Sequence, residues 1–185
     1  HTPPVKYWMH NNMITINGKK MGKSYNNVIK LSELFAGTHP ILEQAYHPMT
    51  IRFFFLHSHY RSPIDFSNEA LQASEKAFKR LWEAYENLKK LATGNWAASD
   101  AVLDAKINQQ IAEFTEFIED DFSTAKVLAN MFEITATINA IKNKQLNATA
   151  ISGATTELLQ QQFELFVEQI FGLKTEVASN NRQID

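Results

Sequence analysis

Six consecutive residues, Lys19-Lys20-Met21-Gly22-Lys23-Ser24, bring three ammonium groups, a glycine and a hydroxyl together. Lysine is a compact, mobile charge suited to phosphate oxygens, and glycine lets a backbone approach an anion closely and turn its N–H groups toward it. The stretch reads as an anion-gripping loop, against the plainer reading of a solvated charged turn. Trp8 and His10, just upstream, offer an aromatic face and an imidazole that suit a pocket wall; the competing reading is a packing pair at a strand edge. His57-x-His59 invites a metal, yet residues two apart on a helix face differently and no third ligand stands at suitable spacing. No metal site is expected there. The expected role is a hinge, with Phe53, Phe54, Phe55 and Leu56 buried and Tyr60 and Arg61 fixing the turn before Pro63. Asp120-Asp121 resembles a carboxylate pair, but it precedes an apolar helical pattern. Acids there favour the positive end of a helix, with Ser123 or Thr124 as cap and Phe122 in the core.

These groups need elements to hold them. Met13-Ile14-Thr15-Ile16 is β-favouring, and Asn17-Gly18 is a strong two-residue hairpin signal, so the lysine loop should leave a hairpin edge. Ser32 is the expected cap of a short helix from Glu33, and Pro40 and Pro48 suit first helical turns. Met49 to His59 reads as one apolar helix. From Ser67, apolar residues recur at helical spacing through Leu71, Phe78, Leu81, Trp82, Tyr85, Leu88 and Leu91 to a stop at Thr93-Gly94. Further stripes start near Asp100, Thr124 and Thr155. The last has Leu158, Leu159, Phe163, Phe166, Val167 and Ile170 inward and Gly172 as its stop. Four stripes predict an antiparallel helical bundle and a mainly α chain. Gly94-Asn95 and Asn147 to Gly153 read as loops between helices.

The chain has 185 residues, 44% of them hydrophobic, which predicts a folded protein. No apolar run approaches the roughly 20 residues that span a bilayer, so no membrane partner is expected. Without cysteine, it has neither disulfides nor a thiolate nucleophile of its own. Net charge is only −2 but unevenly placed. Lys6, Lys19, Lys20, Lys23 and Lys30 oppose Glu33 alone in the first 35 residues, whereas Asp104, Glu113, Glu116, Glu119 and Asp120 oppose Lys106 between Asp100 and Asp121. The two regions are expected to face different partners. Lys76, Lys79, Arg80, Lys89 and Lys90 lie along one outer helical face, which suits either solvent or a sequence-independent RNA backbone.

Lys20 to Ser24 resembles the KMSKS signature of class I aminoacyl-tRNA synthetases, with Gly22 where serine is usual. Together with Tyr7-Trp8-Met9-His10-Asn11, His57-Ser58-His59-Tyr60-Arg61-Ser62-Pro63 and Asp120-Asp121-Phe122-Ser123-Thr124-Ala125, in that order and approximate spacing, it makes the chain similar to cysteinyl-tRNA synthetases over roughly residues 5 to 172. The resemblance implies the end of a Rossmann-like catalytic domain (1–30), a connecting helical segment (31–66), a tRNA-binding bundle (67–173) and a polar tail (174–185). It implies activation of cysteine with ATP and magnesium, release of pyrophosphate and transfer to tRNA(Cys), by a monomeric, cytoplasmic enzyme. Lys20 and Lys23 would hold phosphate, Ser24 would support them and Met21 would pack underneath, with Met21, Gly22 and Ser24 completing the ATP-binding stretch. Trp8 and His10 would line the active site. Arg52, Arg61, Lys76, Lys79 and Arg80 would be tRNA contacts. The HIGH motif and zinc ligands of the family find no counterpart here, and with the abrupt start at His1-Thr2-Pro3-Pro4 we expect one piece of a longer protein, inactive alone. Two alternatives stay open: a cysteine ligase acting on an amino-sugar acceptor, and a non-catalytic RNA-binding helical module.

Overall fold

The computed structural model describes residues 4–94 and 99–175, so the opening three residues, residues 95–98 with the Asn95 of the expected loop, and the tail from 176 lie outside the described residues. Strand β1 (Ile14–Ile16) turns at Asn17-Gly18 into β2 (Lys19–Lys20). Both turn residues have positive φ, 48° and 75°, as a tight hairpin with the sheet's own twist requires. Antiparallel pairing sets Thr15 against Lys20 and Ile16 against Lys19. A third strand, β3 (Ile64–Phe66), joins the other side of β1 in parallel, with Ile14 opposite Ile64 and Ile16 opposite Phe66. The expectation of an all-helical connection missed this strand, whose three residues are too few to show a period.

Helix α1 (Leu31–Ala36) starts at Lys30, and the carboxylate of Glu33 reaches back to the Lys30 N–H at 2.8 Å. Ser32 is therefore inside the helix, and the reciprocal Glu33 contact does the capping expected of it. Gly37 ends α1 at φ 67°, and a Cβ there would lie 2.5 Å from the Ala45 nitrogen, so only glycine fits. Pro40 opens no helix; it sits in a turn where the Leu42 N–H donates to His39 O at 2.9 Å. Pro48 does take the first position of α2 (Pro48–Leu56). That helix stops at Leu56 rather than His59: the Ser58 N–H donates to Phe55 O, and His59, Tyr60 and Arg61 turn away to partners on another element.

Helices α3 (Asn68–Leu88), α4 (Ala101–Glu119), α5 (Thr124–Lys142) and α6 (Gly153–Phe163) form the bundle. Side chains of Ser67, Asp100 and Ser152 accept N–H bonds at the starts of α3, α4 and α6. Helix α3 ends six residues before Gly94, because the Lys90 and Leu91 N–H groups donate to Asn87 and Leu88 in a tightened turn. Helix α6 continues as a π-wound segment, Glu164–Ile170, before Gly172 turns the chain at φ 60°. The widened turn rotates Ile170 to the surface, and Leu158 is also exposed, so neither is the inward residue expected from spacing.

Two apolar clusters result. Ile16, Leu34, Tyr46, Ile51, Phe54, Phe66 and Leu71 seal α1 and α2 onto the sheet. Leu81, Leu88, Phe114, Leu128, Met131, Ile138, Leu159, Phe163 and Val167 fill the bundle. Helix α2 serves both, with Ile51 and Phe54 toward the sheet and Phe53 toward the bundle. His57, at the end of α2, lies against Phe53 and Phe132, ring centroids 5.0 and 5.8 Å away. The residue keeps an exposed side, and the partial desolvation where its ring meets the two phenylalanines holds its pKa below the ordinary histidine value. Protonation is thus easier in the unfolded chain, so this site's contribution to stability is full above about pH 6.5 and declines as pH falls toward the lower folded value. Thermal unfolding from pH 7 to 5 should show a shallower loss of stability in His57→Phe than in the parent sequence.

Candidate active-site loop and its support

Beyond β2 the Met21 N–H donates to Ile14 O at 3.1 Å, which carries the hairpin ladder into the lysine loop. Lys23–Tyr25 then winds one tight turn, closed by Tyr25 N–H to Gly22 O at 3.0 Å and Asn26 N–H to Lys23 O at 3.1 Å. Asn27 grips the loop from behind: its Oδ1 accepts from the Gly22 N–H at 2.9 Å, and its Nδ2 donates to Lys20 O at 3.1 Å. The Gly22 N–H is therefore turned to Asn27, which leaves the exposed side chains of Lys20, Lys23 and Ser24 as the polar groups on the outer side of the loop. Met21 packs beneath against the sheet cluster, where Ile14, Ile16, Ile29, Leu34 and Phe66 surround a cavity of about 190 Å³. Lys19, Lys20 and Lys23 are exposed, and none pairs with an acid among the described residues.

Gly22 has φ −174°, an extended geometry open to any residue, and a Cβ there would touch Tyr25 Cδ2 at 3.4 Å. Gly22→Ser should therefore leave unfolding stability within about 0.5 kcal/mol; a loss of several kcal/mol in a thermal or urea melt would show that the loop needs glycine.

Two side chains not singled out in the sequence hold the hairpin. Asp65, in the middle of β3, accepts from Thr15 Oγ1 at 2.5 Å and from the Gly18 N–H at 2.7 Å. Asn27 is the other. Neither belongs to a motif, and the strand that presents Asp65 was itself not expected.

Trp8 and His10 lie on the extended approach to β1, and the Trp8 indole N–H donates to His10 Nε2. Trp8 is 72% exposed. The two residues meet each other, as a packing pair would, on an open face.

The turn after α2 is tied to the turn between α4 and α5. Asp121 takes Arg61 in a two-pronged contact, Nε to Oδ2 at 2.6 Å and Nη2 to Oδ1 at 3.1 Å, and accepts from the Tyr60 hydroxyl at 2.5 Å. His59 Nε2 lies 3.1 Å from the Asp121 carbonyl oxygen. Arg61 and Tyr60 together hold the Asp121 carboxyl down at about 2, and the same contact raises the Tyr60 pKa. Asp121 therefore has a structural role, as expected, but through these partners more than through a helix end. Asp121 and Phe122 have positive φ, 59° and 55°, and Phe122 is 54% exposed rather than in the core. Ser123 makes no side-chain cap bond, and Thr124 Oγ1 donates to Leu56 O at 2.8 Å instead.

The arginines and lysines considered for RNA contact differ in freedom. Arg52 donates through Nε to Phe171 O at 2.5 Å and lies over Gly172, so it ties α2 to the end of α6. Arg61 is held by Asp121. Lys79 pairs with Glu75 at 3.1 Å, Arg80 sits over the Phe132 ring at 5.5 Å, and Lys76 is exposed. Lys89 divides between Glu86, Glu168 and the face of Tyr85. His57 and His59 serve packing and the Asp121 contact respectively.

Residues 1–76 match the family model described as tRNA synthetases class I (C) catalytic domain, and residues 113–175 match the DALR domain. The chain is 51% identical over 177 residues to the cysteine-tRNA ligase of Bacteroides thetaiotaomicron, covering 96% of this chain and 34% of that protein. It is 46% identical over 178 residues to the cysteine-tRNA ligase of Cytophaga hutchinsonii, covering 96% of this chain and 36% of that one. It thus spans about a third of the length of these curated relatives. In fold it is similar to a crystal structure of the ternary complex of Agrobacterium radiobacter K84 agnB2 LeuRS-tRNA-LeuAMS, with a TM-score of 0.59, 19% identity, and coverage of 87% of this chain and 20% of that one. Two matched domains in sequence order, and relatives of one name along nearly the whole chain, place it: the chain belongs to the cysteine-tRNA ligase family of class I tRNA synthetases.

Proposed function

We propose that this chain supplies the phosphate-stabilising loop and the tRNA-docking bundle of a cysteine-tRNA ligase. The observation that carries the reading is the lysine loop: Lys20 and Lys23 project with no acid partner among the described residues from a hairpin fixed by Asn27 and Asp65. Unpaired, exposed ammonium groups beside a hydroxyl fit a polyphosphate. In the reaction a carboxylate oxygen of cysteine attacks the α-phosphorus of ATP. A new O–P bond forms, the bond to the departing pyrophosphate breaks, and its electrons pass to pyrophosphate oxygen. Negative charge grows on the leaving group in the transition state, where Lys20 and Lys23 stabilise it more than in the bound substrate. Magnesium, when bound with the nucleotide, adds Lewis-acid polarisation of phosphate oxygens, and zinc for thiol recognition would sit on residues beyond those of this chain.

The second half of the reaction needs the acceptor held. The bundle offers Lys76, Lys79 and Arg80 on one face of α3, where Lys79 and Arg80 are already oriented by Glu75 and Phe132. In this reading they follow the tRNA backbone without reading bases, while Arg52 and Arg61 act within the protein. Trp8 and His10, exposed next to β1, would border the active site. The setting is translation, in the cytoplasm, by a monomer. Cysteine-dependent exchange of labelled pyrophosphate into ATP by a protein of the relatives' full length tests the reading. Exchange with cysteine and not with serine supports it, and absence of exchange with any amino acid refutes it.

A further inference from the structure

A continuous set of bonds runs from the bundle to the lysine loop. It begins where Asp121, between α4 and α5, grips Arg61 and Tyr60. The backbone of that same turn is read by Asn12: its N–H donates to Tyr60 O at 3.0 Å and its Nδ2 to Arg61 O at 2.7 Å. Asn12 leads directly into β1. Three residues past Arg61 the chain becomes β3, where the Ile64 N–H donates to Met13 O at 3.1 Å and the Asp65 carboxylate takes Thr15 and Gly18. The next residues are Lys19 and Lys20. Every link is a hydrogen bond or a turn of one to three residues, so little slack exists between Asp121 and the hairpin.

Two ties keep α2 from moving separately: Thr124 Oγ1 to Leu56 O, and Arg52 to Phe171 O. The bond between Asp121 and Arg61 is two-pronged, which fixes angle as well as distance. The left-handed backbone at Asp121 and Phe122 costs energy that these contacts offset.

Resting on the reading above, we infer that Asp121 is a positioning residue for the adenylating loop: through Arg61, Asn12 and Asp65 it sets the hairpin that carries Lys20 and Lys23, and so couples the bundle to that loop. Load on the bundle when an acceptor RNA docks is transmitted to the hairpin by this route. Asp121 acts in this role through Arg61 and Tyr60 and not on the reacting atoms.

The test uses Asp121→Ala, the milder Asp121→Asn, Arg61→Ala and the double variant, each in the full-length protein. Hydrogen exchange comes first, because it does not depend on activity. The expected result is a rise of about tenfold or more in exchange across residues 12–21 and 64–66, with α4 and α5 still protected, and a double variant no worse than either single one. Pyrophosphate exchange, which depends on Lys20 and Lys23, should fall about tenfold in kcat, with the KM for cysteine changed by less than about threefold. Faster exchange confined to 58–62 and 119–124 would overturn the inference, as would additive effects in the double variant. Pyrophosphate exchange left at the parent rate would also overturn it. If the unaltered protein exchanges no pyrophosphate, the proposed function fails on its own, and the hydrogen-exchange pattern still decides whether Asp121 sets the hairpin.

Discussion

Lys23→Ala in the full-length protein is expected to slow adenylate formation by about a hundredfold to a thousandfold, the loss typical when one preorganised group facing developing charge is removed. The loss should fall on kcat, with the KM for cysteine nearly unchanged, because in the proposed role the lysine meets charge that appears only as pyrophosphate leaves. Lys20→Ala should act in the same direction. Neither should disturb the fold: both side chains are exposed, and the loop's hydrogen bonds run through backbone atoms and Asn27. Single-turnover adenylate formation at saturating ATP and cysteine measures this directly. A Lys23→Ala enzyme with normal kcat and a raised KM for ATP would instead make the loop a ground-state anchor.

The second large effect concerns stability. Phe53 is fully buried on α2, with ring centroids 5.5 Å from Phe78 and 6.4 Å from Phe132. It is the fully buried side chain of α2 in the bundle core, flanked there by the partly buried Met49 and Leu56, while Ile51 and Phe54 on the same helix serve the sheet cluster. Phe53→Ala should cost about 3–5 kcal/mol, combining lost transfer energy with the cavity left behind. Against a total stability of about 5–15 kcal/mol, that is enough to populate an unfolded or partly detached state. Urea denaturation followed by far-UV circular dichroism checks the figure. A loss under about 1 kcal/mol would mean that neighbouring rings close the gap and that α2 is held mainly by Arg52 and Thr124.

The bundle was legible because its signals are local and repeated. Ser67, Asp100 and Ser152 cap where a capping side chain precedes a periodic run, and positions such as Leu81, Leu128 and Phe163 are buried where the 3.6-residue period places them. Asn17-Gly18 announced the hairpin for a similar reason, since few other pairs take two successive positive φ values. What escaped the sequence depends on distance. Phe122 has a core residue's chemistry, but its backbone is left-handed because Asp121 beside it must face Arg61 across the turn. Ile170 keeps the spacing of an inward residue, yet the π-wound turn before it shifts the phase. β3 exists because β1 offers it an edge, and Asp65 and Asn27 matter because of hairpin atoms that lie 50 and 7 residues away. The lysine loop itself was visible as a cluster of charge. Its support came from tertiary contacts that no run of adjacent residues encodes.

The most direct test of the central claim is transfer of labelled cysteine by the full-length protein, with tRNA(Cys) and an amino-sugar offered as acceptors. The account predicts cysteine linked to tRNA(Cys), dependent on ATP and lost in Lys23→Ala, with no product on the sugar. Pyrophosphate exchange accompanied by transfer to the sugar and none to tRNA would contradict it.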